Sequence, residues 1–384
     1  MKNSLQFSHS EFLPGKTAWL PAIVIIMSIA FISCKRDFPP PCHDGDSFNG
    51  KGRAIIVHKG GSIQAAVDAA TPGASIFIEA GTYNEAIVVN KAGIHLIGSA
   101  CFASEKVIIQ NPGDVENGIS VQDGGDGFVL KNVTIQNFKK IGVSLDHTDN
   151  FLLSHVVTIN NGEFGLSPAF CKNGLIEYCI ATGHPDTGIH IIESESIAVQ
   201  DCEAYGNVNG FEIENSSDIA FSKNHSYDNA GGLLIVLLPG FDVKTSSNIL
   251  VADNNIENNN HLNFATSGFE AVVPSGSGIL LVGVDNATIK NNKISNNNTE
   301  GIGTLSTVIL GALAGLPPEA FADIEPNPDG TKIINNLLVN NGTAPPATLP
   351  LPAVDLLWDG NGTNNCWKNN TFSTSYPSPL PTCN

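Results

Sequence analysis

Arginine is almost missing from this chain. Its 384 residues include only Arg36 and Arg53, and both precede the part that reads as folded. Lysine and arginine together number 19, against 37 aspartates and glutamates, for a formal net charge of −18. Phosphate recognition needs a basic surface, so this balance argues against a nucleic-acid partner. Charge of either sign is also scarce, at 15% of the residues, where roughly a quarter is usual. Coiled coils and helical bundles need more Lys, Glu, Leu and Ala than this chain offers. Nothing resembles a P-loop or a dinucleotide fingerprint. No apolar run reaches the roughly 20 residues of a membrane-spanning helix. The longest, Trp19 to Phe31, is interrupted by Pro21 and Ser28. What fills the space is 41 Asn and 38 Gly, set among Val and Ile. Hydrophobic residues still make up 42%, with a mean hydropathy of +0.05. That is enough to bury a large core and speaks against general disorder.

The glycines keep time. Gly118, Gly142, Gly165, Gly188, Gly210, Gly232, Gly278 and Gly301 each open a short apolar strand, in steps of 24, 23, 23, 22, 22, 46 and 23 residues. The residue after each is apolar, and the residue two further on usually is too, as in Ile189/Ile191 and Phe211/Ile213. Alternation with period two marks a strand with one buried face. A second strand recurs in the middle of each unit (Phe128-Val129-Leu130, Ile197-Ala198-Val199, Ile249-Leu250-Val251). A third follows, as in Val133-Thr134-Ile135, and ends near a recurring Asn: 137, 161, 207, 229, 259, 297 and 341. Three short strands in about 23 residues make one coil of an all-β, single-stranded right-handed parallel β-helix. Stacked coils put equivalent residues about 4.8 Å apart. Asn suits such a ladder, because it tolerates left-handed backbone and its amides bond along the stack. Leucine-rich repeats would fix more Leu, and propeller blades need units of about 40 residues.

The ends fit the same reading. Ser62 is placed to cap a short amphipathic helix with Ile63, Ala66, Val67 and Ala70 on one side, covering the first coil's open edge. The register fades after Asn341 into Pro345, Pro346, Pro350 and Pro352. The expected boundaries are a signal peptide over 1–33, a Pro-rich tether over 34–52, the β-helix over 53–345 and a C-terminal cap over 346–384. Cys366 and Cys383 share the tail and can pair in an oxidising compartment. Cys179 and Cys202 occupy equivalent coil positions and are expected to stack inside, as packing first and as a disulfide second. Phe31-Ile32-Ser33-Cys34, after Lys2, Lys16 and the apolar run, resembles the lipobox of bacterial lipoproteins. The resemblance implies cleavage before Cys34, its acylation, and a lipid-anchored place in the cell envelope.

Candidate chemistry lies on the outward column of the first strand. It reads Ser120, Ser144, Ser167, His190, Glu212, Leu234, Leu280, so His190 and Glu212 are expected to be neighbours. Asp186 precedes the strand of His190 and Glu214 follows Glu212, which gathers four titratable groups on one face. They suit acid and base roles, and the three carboxylates suit Ca²⁺. The bland alternative is a polar exposed face with cross-strand pairing. The 46-residue step resolves into one coil with two insertions, about 237–247 and 260–276. The first carries Asp242 and Lys244, the second His261 and Glu270. Loops on a rigid scaffold often carry function, and Lys244 is the cation expected beside the groove.

The coils resemble the right-handed parallel β-helix repeat superfamily, the pectin-lyase-like proteins. DTGIHI (186–191), NVNGFEIENS (207–216), GGLLIVLLPG (231–240) and VPSGSGILL (273–281) more narrowly resemble an uncharacterised family of exported bacterial β-helix proteins. That family supplies no catalytic residues. The chain departs from the enzyme patterns of the superfamily. It has no GHG with paired Asp and no DPHD, and His184-Pro185-Asp186 only partly matches the latter. Two functions from different classes therefore stay open. One is a lipid-anchored protein that binds carbohydrate along its groove, with or without processing it. The other is a non-enzymatic scaffold or assembly factor for an envelope protein partner. An apolar strip at Leu234 and Leu280 would favour the second.

Overall fold

Among the described residues a complete coil makes three short strands, and each strand pairs in parallel with its counterparts one coil away. A computed structural model describes residues 54–99, 105–266, 268–347 and 351–384. The expected signal peptide, tether and Cys34 lie outside these. The strands form three parallel sheets of 12, 11 and 10 strands. The 11-stranded sheet, called the groove sheet below, runs from Ile87–Val89 through Thr187–Ile192, Asn209–Glu214, Gly231–Val236 and Ser277–Val282 to Ser375–Tyr376. One continuous apolar core, from Val57 to Trp367, fills the interior of the coils. No helix among the described residues is long and apolar enough to cross a membrane.

The opening glycines are required by close approach. A Cβ on Gly188 would sit 2.7 Å from the Gly210 carbonyl oxygen, and one on Gly210 would sit 2.8 Å from that of Gly232. Asparagine has two jobs, in adjacent columns. Asn160, Asn258, Asn296 and Asn340 take left-handed φ of 51° to 58° at the turn. The next residue forms the ladder. Asn207, Asn229, Asn259 and Asn297 each donate their backbone N–H to the Oδ1 of the following Asn, at 3.0–3.3 Å. An orphaned buried donor costs roughly 1–3 kcal/mol, so each amide protects the coil before it. Asn137 belongs to the turn column, with φ 64°. Phe138 takes its ladder position and donates its N–H to Asn161.

The helix Ile63–Ala69 starts at Ser62, whose hydroxyl accepts from Ala65 N–H at 3.1 Å. Glu85 accepts from the Ile63 and Gln64 N–H groups, and Ile63, Ala66 and Val67 are buried. At the other end the expected boundary at 345 is too early. Val354–Trp358, Cys366–Lys368 and Ser375–Tyr376 extend two of the sheets, so the tail continues the helix. Prolines between 345 and 352 interrupt the periodic pattern without ending the coil. Cys366 and Cys383 form a disulfide, whereas Cys171, Cys179 and Cys202 are buried free thiols.

Both insertions belong to the single coil that opens at Gly231, as the spacing predicts: the first lies between Gly231–Val236 and Leu250–Ala252, the second between Asn255–Glu257 and Ser277–Val282. A third excursion follows Leu305. It holds the helix Thr307–Leu313 and the 3-10 turn Pro318–Phe321 before the coil resumes at Lys332. The 44-residue step from Asn297 to Asn341 is its trace in the sequence.

Candidate functional site

His190 and Glu212 are partners in register across neighbouring coils. The Thr187–Ile192 and Asn209–Glu214 strands thus bring Asp186, His190, Glu212 and Glu214 together on the outer side of the groove sheet. His190 Nε2 meets Glu214 Oε2 at 3.0 Å. Glu212 Oε2 accepts from Thr187 Oγ1 at 2.7 Å and from Asn209 Nδ2 at 3.3 Å. The second insertion adds Glu270 from a 3-10 turn, Glu270–Val272. Asn263 pins that turn by donating to the carbonyls of Glu270 and Val273 at 2.7 and 2.8 Å. Ligand atoms of Asp186, Glu212 and Glu270 lie within 4.8 Å of one another, and so do those of His190, Glu212 and Glu214. Phe164 packs on the His190 ring at 4.5 Å between centroids. Asp186, Glu270 and Phe164 remain partly exposed, while His190, Glu212 and Glu214 form the buried floor.

Among the described residues, the ion pairs bring no lysine or arginine to these five side chains. Burial, reinforced by the Glu270 charge, raises the Asp186 carboxyl to about 8 and that of Glu214 to about 8. Burial pushes Glu212 well above the usual range against the opposing pull of His190, and it lowers His190. Glu212 Oε1, His190 Nδ1 and Asn209 Oδ1 have no hydrogen-bond partner. Such a site either retains protons on its carboxyls or takes a cation. The oxygen donors of Asp186, Glu212 and Glu270 fit a hard divalent ion such as Ca²⁺, which would neutralise them.

The other expected residues lie elsewhere. Lys244 does not join the cluster. Its Nζ pairs with Asp323 of the third excursion at 2.6 Å, and the same carboxylate accepts from Gly240 N–H. A carboxylate close by in the fold outcompetes one across the sheet. The backbone N–H of Asp242 donates to Glu193 at 2.7 Å, which fixes the first insertion's turn. His261 stays exposed at the second insertion, edge-on to Phe264 at 5.6 Å. His184 is a ladder residue. It sits where Asn161 and Asn207 sit in the neighbouring coils, accepting from Asn161 N–H and meeting Thr158 Oγ1 at 3.1 Å. Burial lowers it to about 4. Glu300, which the outward column does not include, also faces the groove side. It pairs in register with Ser277 and is raised to about 8 by burial. The glycine-centred step in register puts the residue before each Gly on the outer face, and that column names Thr187, Asn209 and Glu300.

The apolar strip at Leu234 and Leu280 is covered. These side chains are 1% and 3% exposed. With Val236, Leu238, Val273, Val282, Leu305 and Leu357 they build a second core outside the helix. Phe241, Phe269, Val272, Leu313 and Leu351 pack on it. The three inserted segments are therefore held by apolar burial. Burying one such side chain is worth about 1.5–3 kcal/mol.

A family model described as "right handed beta helix region" matches residues 117–238. No curated protein matches the chain. Among solved structures, the A-module of the Azotobacter vinelandii mannuronan C-5 epimerase AlgE4 is 15% identical with a TM-score of 0.54, covering 85% of this chain and 97% of that one. The AlgE6 A-module from the same organism is 15% identical with a TM-score of 0.55, covering 82% and 94%. The periplasmic alginate epimerase AlgG is 13% identical with a TM-score of 0.51, covering 84% and 77%. At such identities the likeness concerns the fold. Two of these structures are named as mannuronan C-5 epimerases and one as an alginate epimerase, and what this chain shares with them is the right-handed parallel β-helix fold.

Proposed function

We propose that the chain is an envelope protein, anchored through acylated Cys34, that binds carbohydrate along the open coils of the groove sheet and processes it at the Asp186–His190–Glu212–Glu214–Glu270 cluster. One observation carries this reading. The partly exposed outward column Ser120–Ser144 leads in register to a cluster of carboxyls held protonated by burial. A carboxyl with a raised pKa is a proton donor near neutral pH, and His190, which burial keeps neutral, is a base beside it. The carbohydrate-active neighbours support the substrate class. The scaffold reading lacks the open apolar strip that would favour it, because Leu234 and Leu280 are already covered.

Charge narrows the glycan. A net charge of −18 and an acidic cluster repel polyuronates unless cations bridge. Neutral glycans, or acidic ones with Ca²⁺, are the expected ligands. The test is retention and product formation on xylan, galactomannan, arabinan, polygalacturonate and mannuronan, each with Ca²⁺ and with chelator. Binding to at least one is expected, and its loss in Glu270→Gln places the site. Neither retention nor product on any of them sinks the proposal. Acyl labelling of cells, lost in Cys34→Ser, tests the anchor.

A further inference from the structure

We infer that the groove accepts the end of a glycan chain and excludes its middle. The inference rests on the carbohydrate reading above and adds to it which part of the polymer is recognised. The outer face of the groove sheet changes character within two coils. Val88 is exposed, Ser120 and Ser144 in register with it are partly exposed, and Asp146 is exposed. At the next coil Ser167 is covered, and Phe164 and Glu163 stand over the approach to His190 and Asp186. One coil beyond Glu212, its register partner Leu234 is sealed.

The seal is substantial. Eight buried apolar side chains form the outer core, clamped by residues from three separate segments of the chain. A sugar chain lying over Val88, Ser120 and Ser144 meets Phe164, Glu270 and Phe269 at the cluster. To pass further it would have to displace that whole core. The second insertion acts as an end wall, and Glu270 is the wall's reactive face. From Ser120 to His190 is three coil steps, about 14 Å, the reach of a short oligosaccharide. The terminal unit is the one placed over Asp186 and Glu212. Phe164, Phe269 and Glu270 are positioning residues for that unit.

The full-length protein is titrated by calorimetry with linear xylo-, manno-, arabino-, galacturono- and mannurono-oligosaccharides from trisaccharide to octasaccharide, the acidic ones with Ca²⁺. The same oligosaccharides are then offered with the reducing end, the non-reducing end, or both, masked by a bulky tag. Affinity is expected to level off after the first few sugars. Masking one particular end should weaken binding by about tenfold or more, and masking the other should change little. Ser144→Trp, which fills the open coil, should remove binding while the thermal melt stays that of the native protein. Equal binding of doubly masked chains, or internal cleavage of the parent polymer seen as an early loss of viscosity, overturns the end-wall inference and leaves the carbohydrate reading intact. Absence of binding by every unmasked oligosaccharide discards both.

Discussion

In chelator, the native protein is expected to melt at lower temperature as the pH rises from about 6.5 to about 8.5, and Glu212→Gln is expected to recover a large part of that loss. Burial raises Asp186, Glu214 and Glu300 to about 8, far above the ordinary carboxylate range, and pushes Glu212 well above that range too. The folded state therefore holds protons that the unfolded chain has already released. Stability from each such group is fully present below the unfolded value and is lost as the pH rises through the folded one. The slope is about 1.4 kcal/mol per pH unit for each carboxyl protonated only when folded. His184 and His190 act in the opposite sense, because burial lowers both. Their effect is confined below about pH 6.5, where the unfolded imidazole takes its proton. The window above that belongs to the carboxyls alone. Gln at 212 keeps an oxygen for Thr187 and Asn209 and brings an amide N–H₂ to the side where Glu212 Oε1 has no partner. It should melt several degrees above the native protein at the alkaline end and close to it near pH 5, and it should lose glycan processing. Adding Ca²⁺ at alkaline pH should raise the native melt and leave the variant's unchanged. A native melting temperature that is flat or rising across this window would show that the cluster is ionised without penalty.

The coil itself was legible because its causes repeat. Glycine recurs where a Cβ would strike the next coil's carbonyl, and Asn recurs where a backbone N–H needs a buried acceptor. Such constraints are local and identical in every turn, so they survive as a period of 22 to 24 residues. The same register placed His190 opposite Glu212. Glu270 was legible as a passenger on an insertion, since the 46-residue step locates the insertion but says nothing of which way it folds. Lys244 shows the other side of that limit. Its partner Asp323 lies 79 residues away, in an excursion whose trace, the 44-residue step, locates it but says nothing of which way it folds. His184 takes a place in the frame for a chemical reason. An imidazole accepts through one nitrogen and donates through the other, so it can stand in an Asn column. A histidine next to Pro185 and Asp186 then looks like part of a site when it is part of the frame.

The covered groove is the feature that sequence reading missed most, and it leads to the second large effect. Leu280 lies in the outer core with Leu234 on one neighbouring coil and Gly303 on the other. The inner core on the opposite side of the same strands, with Ile279 and Leu281, belongs to the helix proper. Two cores back to back on one sheet predict that they fail separately. Leu280→Ala should cost about 2–5 kcal/mol, and Leu280→Asp more, because the carboxylate has no partner there. The loss should be local, opening the inserted segments while the coils stay intact. Far-ultraviolet circular dichroism should therefore be unchanged near room temperature, while proteolysis begins within the second insertion, where Leu262 is already 80% exposed. Amide exchange should quicken at 260–276 and 306–328 and not at Ile189 or Ile213, whose side chains remain in the inner core. With the wall loosened, glycans blocked at both ends should gain access to the groove sheet. If Leu280→Asp instead melts the whole chain in one step at lower temperature, with no early cleavage in 260–276, the two cores are one cooperative unit and the insertions are structural parts of the helix.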